Sequence, residues 1–478
     1  MFHILFFSIF IVLISTFCIL KYVVFKNNEK FNKIVEKLLK IFTVVYCALV
    51  IFNIFLPDGF TISLDKEILL GGMHQGYAIL RWLMCLPFVA LPIAVFSKNR
   101  QFKNIAIYFC VIVTLVSVAF YSKHMQFFTS ADGRGLNSVS VFSKGFKQFL
   151  LNGTFRGIFF GFLTMLELCI PIMFAIQEKH VFNFKSKADW LSFLILPFVI
   201  ISSVPIYVPQ YLFGYSNIVF ETFGLIHWLW VVCTIILLVS LYFIFRKKGE
   251  KVKKVLLFVL SLCLVYQYTQ MFGAVSISLK RLPLQLCNLG AYLILFSLIT
   301  MNRKIFNFTM IINVVGVIFA LAMPDLDGEG LFYLYNLHFI LEHTNVLIIP
   351  VLMLLFGVFP RLDKFALRDC LIGFTVYFIS VWALGTAFNA ISNATGNGFY
   401  SANYMFMFSS ETASEILPFT KALFDLNFKI GYAVFYPIIQ ILVYIVFSIV
   451  CVALYFAIKF LYYLKDKVVH KQSKKALS

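Results

Sequence analysis

Residues 222–254 read TFGLIHWLWVVCTIILLVSLYFIFRKKGEKVKK, an apolar stretch from Thr222 to Phe245 that stops at a loop dominated by lysine and arginine. About 20 such residues in a helix cross a hydrocarbon core of roughly 30 Å, and this one has no polar stripe along which it could lie half in water. The pattern recurs along the whole chain. Of the 478 residues 61% are hydrophobic and 13% charged, and the mean hydropathy is +0.92. Thirteen segments are expected to span: 3–25, 37–57, 78–97, 104–122, 155–176, 190–213, 222–245, 255–273, 283–301, 306–323, 335–358, 367–390 and 432–462. The expected fold is all-α, a polytopic helical membrane protein of about 13 transmembrane helices.

The basic residues set the expected orientation. Alternate loops (26–33, 98–103, 178–187, 246–254, 302–304, 361–368 and the tail 465–475), with Lys37 and Lys40, hold 27 of the 40 lysines and arginines. The intervening loops hold few and include the acidic turn Asp325-Leu-Asp327-Gly-Glu329. By the positive-inside rule the N-terminus is outside and the basic tail cytoplasmic, as in a multi-pass protein of the cell membrane. The net charge of +19 is accounted for by this topology and by anionic lipid headgroups. No loop is both long and basic enough for a nucleic-acid domain, so membrane lipids are the expected partners and nucleic acid is not. No oligomeric state can be read from the sequence.

Ten cysteines lie almost entirely within apolar spans. None has metal-ligand spacing, so neither a metal nor another cofactor is expected. Most read as small core hydrophobes. The long first apolar run, without a small-residue cleavage site after it, reads as a span rather than a signal peptide.

The chain reads as a degenerate parallel duplication, residues 1–215 and 216–478. Phe2-His3-Ile4-Leu5 and Ile226-His227-Trp228-Leu229 each open an apolar helix, while Lys98-Asn-Arg-Gln-Phe-Lys-Asn104 resembles Met301-Asn-Arg-Lys-Ile-Phe-Asn307. Six spans separate the two starts, which makes the repeats parallel. Cys85 falls near the place of Cys287, but the span carrying Thr164-Met-Leu-Glu167 has no histidine matching His343. Glu167 reads as a relict or as a core acid in need of a partner.

Two helix starts in the second half carry the chemistry. Arg281-Leu-Pro-Leu-Gln-Leu-Cys287 places a thiol about one turn inside a span, and His338-Phe-Ile-Leu-Glu-His343 places two imidazoles and a carboxylate in another. At 1.5 Å per residue Cys287 lies roughly 6 Å inside its helix and His343 roughly 12 Å inside its own. A thiol and an imidazole at similar depth are the parts of a nucleophilic site. Glu342 and His338 share a helix face, whereas His343 points about 100° away from Glu342. Glu342 is thus expected to pair with His338 or Arg281. His227 reads as a second base, a headgroup ligand or an interface residue, and Asn403 and Tyr404 as a lid, a headgroup contact or an interfacial anchor.

Residues 222–462 resemble the YwaF-type integral membrane proteins, which are similar in turn to the eukaryotic transmembrane acyltransferase of ether-phospholipid remodelling. The resemblance rests on His227, LPLQLC at 282–287, the acidic turn after Pro324, ILEHTNVLIIP at 340–350 and Ser401-Ala-Asn-Tyr-Met405. It implies Cys287 as the nucleophile that takes up an acyl chain as a thioester, and His343 as its base. The bacterial members usually carry histidine where this chain has Gln285, and an amide cannot take up a proton at neutral pH. The expected function is a membrane acyltransferase or acyl hydrolase acting on lipid at the outer leaflet. A transporter or flippase, suggested by the parallel halves, and a non-catalytic assembly protein are the alternatives.

Overall fold

The computed structural model describes residues 2–25, 28–56, 72–129, 144–177, 186–213, 218–274, 282–322, 324, 326, 330–410 and 419–477. Arg281 and the acidic residues 325, 327 and 329, all singled out from sequence, lie outside these. The described chain is helical apart from one short hairpin. Nine helices among the described residues are long and apolar enough to cross a membrane, and Ile11–Val24, Asp189–Ser202 and Leu286–Thr300 are shorter apolar ones. The polytopic all-α fold expected from hydropathy is thus present. The helices gather into two compact units.

The first unit, 1–219 with 265–277 and 330–338, holds α1 (Phe2–Ile19), α2 (Glu29–Phe55), α3 (Gly72–Cys85), α4 (Pro87–Ser97), α5 (Arg100–Ala119), α6 (Tyr121–Phe128), α7 (Lys144–Leu150), α8 (Gly153–Gln177), α9 (Lys187–Ser202) and α10 (Val208–Phe213). Asparagines start several of these helices by taking up orphan N–H groups: Asn28 accepts from Lys30 and Phe31 at 2.9 and 3.2 Å, and Asn152 from Thr154 and Phe155 at 2.9 and 3.2 Å. The expected single span 190–213 is broken. Helix α9 stops at Ser202 and α10 begins only at Val208, because Pro205 lacks an N–H and disfavours helix in the residue before it.

The second unit, 220–264, 278–329 and 339–478, holds α11 (Leu225–Phe245), the first part of α12 (Glu250–Ala274), α13 (Leu286–Thr300), α14 (Arg303–Ala322), most of α15 (Leu334–Leu355), α16 (Lys364–Thr395), α17 (Thr420–Asp425), the hairpin β1 (Phe428–Ile430) and β2 (Ala433–Phe435), and α18 (Pro437–Leu477). The hairpin occupies the start of the expected span 432–462, so that helix begins at Pro437. One apolar core joins α13, α14, α15, α16 and α18, with Phe306 stacked on Phe359 at 4.1 Å. Ion pairs gather at one end: Arg303 with Asp363 and Arg361 with Asp466, both at 2.9 Å. The LPLQLC segment lies at the other end.

The two loops that resemble each other in sequence share a backbone design. Lys98 closes α4 and Met301 closes α13, each in the left-handed region at φ 50° and 52°. The next residue caps the following helix in both cases, Asn99 from Phe102 N–H at 3.2 Å and Asn302 from Lys304 N–H at 3.0 Å. Further along each helix an asparagine donates to an aspartate of another helix, Asn104 to Asp189 at 3.1 Å and Asn307 to Asp369 at 2.9 Å. Arg100 pairs with Asp189 through both carboxylate oxygens, at 2.5 and 2.7 Å.

The two arginines should nevertheless differ in effect. The Asp189 side chain is fully buried, while that of Asp363 is 37% exposed. Arg100→Ala strands a buried charge and is expected to cost about 3 kcal/mol. Arg303→Ala should cost at most about 1 kcal/mol. Thermal unfolding of the detergent-purified variants measures both, and equal losses would refute the burial argument.

Candidate functional site

Helix α13 has 15 residues, which at 1.5 Å each is about 22 Å, short of a roughly 30 Å core. The non-helical residues Leu282–Gln285 lead into it, and their backbone is held by protein partners. The Tyr377 hydroxyl donates to the Leu284 carbonyl at 2.7 Å, and Leu284 N–H donates to the Leu282 carbonyl at 2.6 Å. Gln285 occupies the N-cap position but does not cap its own helix. Its amide donates to the Asn403 carbonyl and accepts from Met405 N–H, both at 3.0 Å. Two segments singled out far apart in sequence, LPLQLC and SANYM, are thereby joined.

The loop held by Gln285 is built to stay in place. Asn403 Oδ1 accepts from the N–H groups of Phe408 and Ser409 at 3.0 and 3.1 Å, and Asn389 of α16 exchanges two bonds with Ala402 at 2.8 and 3.0 Å. Between these anchors Met405 and Phe406 take left-handed backbone, φ 52° and 56°, a cost the surrounding bonds must over-determine. Tyr404 is fully buried, and burial pushes its phenol up to about 12. It is thus a neutral phenol at physiological pH.

Cys287 is the second residue of α13, where N–H groups of the first turn point out of the helix and the dipole is positive. It is half-buried. Its Sγ faces Gly316 of α14, only 3.3 Å from where a Cβ would stand. One turn deeper Asn313 lies over Gly290, its amide atoms 2.5 and 2.7 Å from the corresponding Cβ position. Asn313 is 1% exposed, and both amide atoms lack a hydrogen-bond partner among the described residues. Asn313 is not among the residues expected at the site. An amide inside the apolar run FTMIINVVGV, three residues before a glycine, was the available signal.

On α15, Glu342 and His343 are both buried. Both belong to the same unit as Cys287. The thiol and the His343 imidazole are not hydrogen-bonded to each other. His343 Nδ1 is 2.7 Å from the Phe339 carbonyl, and its ring packs on Phe339 at 4.0 Å. A carbonyl only accepts, so Nδ1 carries the proton and Nε2 is the basic nitrogen.

Two other expected residues serve the scaffold. His227 Nδ1 accepts from Phe223 N–H at 2.9 Å and Nε2 donates to the Leu321 carbonyl at 2.7 Å. Both nitrogens are engaged, so His227 ties the start of α11 to the end of α14 and leaves no lone pair for a second base. The Phe223 it holds has φ 63°. His338 belongs to the first unit, packed on Tyr268 at 5.3 Å. Cys85 ends α3 instead of starting a helix and is buried against the Gln270 amide at 3.6 Å, a different setting from that of Cys287.

Residues 222–458, just under half the chain, match the model of the TMEM164 family. This segment contains every expected site residue. No curated protein and no solved structure matches the chain.

Gln285→Leu should release the loop, because it strands the Met405 N–H and the Asn403 carbonyl at a cost of about 1–3 kcal/mol. Gln285→His offers one donor and one acceptor and should lose clearly less. Limited proteolysis at 401–409 together with the melting temperature reads both effects. Equal behaviour of the two variants would mean that the amide does not hold the loop.

Proposed function

We propose that the protein is a lipid acyltransferase or acyl hydrolase that works through a thioester on Cys287. One observation carries this reading: a half-buried thiol at the positive end of a short apolar helix, read as lying below the membrane surface, with its entry backbone fixed by Tyr377 and Gln285. A nucleophile at that depth suits an ester that arrives sideways from the bilayer. The YwaF-like residues, and the acyltransferase activity that resemblance implies, support the same chemistry.

Cys287 Sγ attacks the ester carbonyl, and His343 Nε2 takes up the thiol proton. The first-turn N–H groups of α13 stabilise the oxyanion. The C–O bond then breaks, and the departing lipid oxygen takes the proton from His343. A second lipid hydroxyl or water, deprotonated in turn by His343, attacks the thioester and restores the thiol. Before substrate arrives the thiol and base are not hydrogen-bonded, and substrate must bring them into register. With the N-terminus outside and the basic tail cytoplasmic, the site faces the outer leaflet of the cell membrane. Residues 1–215 act as scaffold, a degenerate repeat of 216–478.

An alkyne-bearing phospholipid should label the wild type in a hydroxylamine-sensitive way. Cys287→Ala should lose the label, and Cys85→Ala should keep it. His343→Ala should lower labelling by about 10²–10⁴-fold, and Glu342→Gln by less. Label persisting in Cys287→Ala would overturn the assignment. Equal losses from Cys85→Ala and Cys287→Ala would overturn the division of labour between the halves. A protease-protected N-terminal tag with an exposed C-terminal tag in intact cells would overturn the outer-leaflet placement.

A further inference from the structure

The first unit contains a buried acid that the proposed chemistry does not use. Glu167 lies in the middle of α8, fully buried, and neither carboxyl oxygen has a hydrogen-bond partner among the described residues. Taking a carboxylate out of water is costly unless it is neutralised or holds a cation. Tyr46 on α2, Cys85 on α3 and Cys110 on α5 lie within electrostatic reach of it, and none of these three is cationic.

Two hydroxyls beside it are also unsatisfied. Thr164, one turn earlier on the same face of α8, and Ser117 of α5 are 2% and 1% exposed, and neither hydroxyl has a partner among the described residues. Ser117 approaches the Glu167 carboxyl without completing a hydrogen bond. Other hydroxyls of neighbouring helices behave differently. Thr43 of α2 and Thr114 of α5 return theirs to the carbonyl four residues back, each at 2.8 Å, the usual recourse in an apolar helix. Ser117 and Thr164 forgo that bond next to an acid whose oxygens are unbonded. Tyr46 donates its proton to the Met84 carbonyl at 3.3 Å, which leaves the lone pairs of its phenol oxygen available.

We propose that Glu167, Ser117 and Thr164 form a binding site for one monovalent cation of the hard, oxygen-preferring class, with Na⁺ as the representative ion. A cation uses only oxygen lone pairs, which all three side chains offer and which a carboxyl proton would satisfy at one atom alone. Binding exchanges charge one for one: the cation enters and the carboxyl proton, if present, leaves. Carboxyl and hydroxyl oxygens within a helix bundle are the materials of intramembrane cation sites. The site lies in the first unit and does not depend on the thioester reading.

The test is thermal unfolding of the purified full-length protein in NaCl, KCl and choline chloride at matched ionic strength. A ligand that binds only the folded state raises the midpoint with its concentration. Na⁺ should stabilise the wild type saturably above choline. Glu167→Gln, of the same shape but uncharged, should weaken the apparent Na⁺ affinity by at least about tenfold. The paired variant Ser117→Ala with Thr164→Val should also weaken it while keeping the carboxylate, and it decides the matter if Glu167→Gln does not fold. Identical midpoints in Na⁺ and choline would overturn the site, as would Na⁺ stabilisation that survives either variant. A midpoint that follows pH but not cation would make a proton the only occupant and would overturn it as well.

Discussion

Backbone inside a bilayer must find its hydrogen bonds within the protein, and α13 meets that requirement in an unusual way. Four non-helical residues, Leu282–Gln285, lead into its 15 helical ones without helical bonds of their own. Tyr377 and Gln285 take over, and each reaches a different part of the second unit, Tyr377 from α16 and Gln285 into the 401–409 loop. The position of the Cys287 thiol and the conformation of the 401–409 loop both depend on this junction.

Helix existence was legible because apolar runs of this length have one solution in lipid, and the caps at Asn28, Asn99 and Asn302 are local chemistry. The break near Pro205 was legible in principle, but apolar residues on both sides hid it. The site was legible as residue types and not as partners. His227 has the composition of a base, yet both its nitrogens are bonded to backbone, which only the fold reveals. The helical angle between Glu342 and His343 sets the two side chains apart on α15. It could not show which groups of other helices the two side chains meet, because that depends on tertiary packing.

The repeated loops show how burial changes the meaning of one pattern. Left-handed residue, asparagine cap, arginine and inner asparagine recur in both units, and both inner asparagines donate to an aspartate. In the first unit arginine and asparagine converge on one buried carboxylate, Asp189. In the second they separate, Arg303 to the half-exposed Asp363 and Asn307 to Asp369. The second unit thus keeps the loop geometry without concentrating charge in its core.

Gln285 bears on the chemistry in the same way. Glutamine can hydrogen-bond but cannot take up a proton at neutral pH. The bonds observed need one donor and one acceptor on a planar group, directed at Asn403 and Met405. A neutral imidazole offers the same pair, so a histidine here would keep the strap, and glutamine keeps it without a titratable group. On α15, the Phe339 carbonyl fixes His343 in the tautomer that leaves Nε2 basic. Gln285 therefore holds the loop without itself being able to exchange a proton at neutral pH.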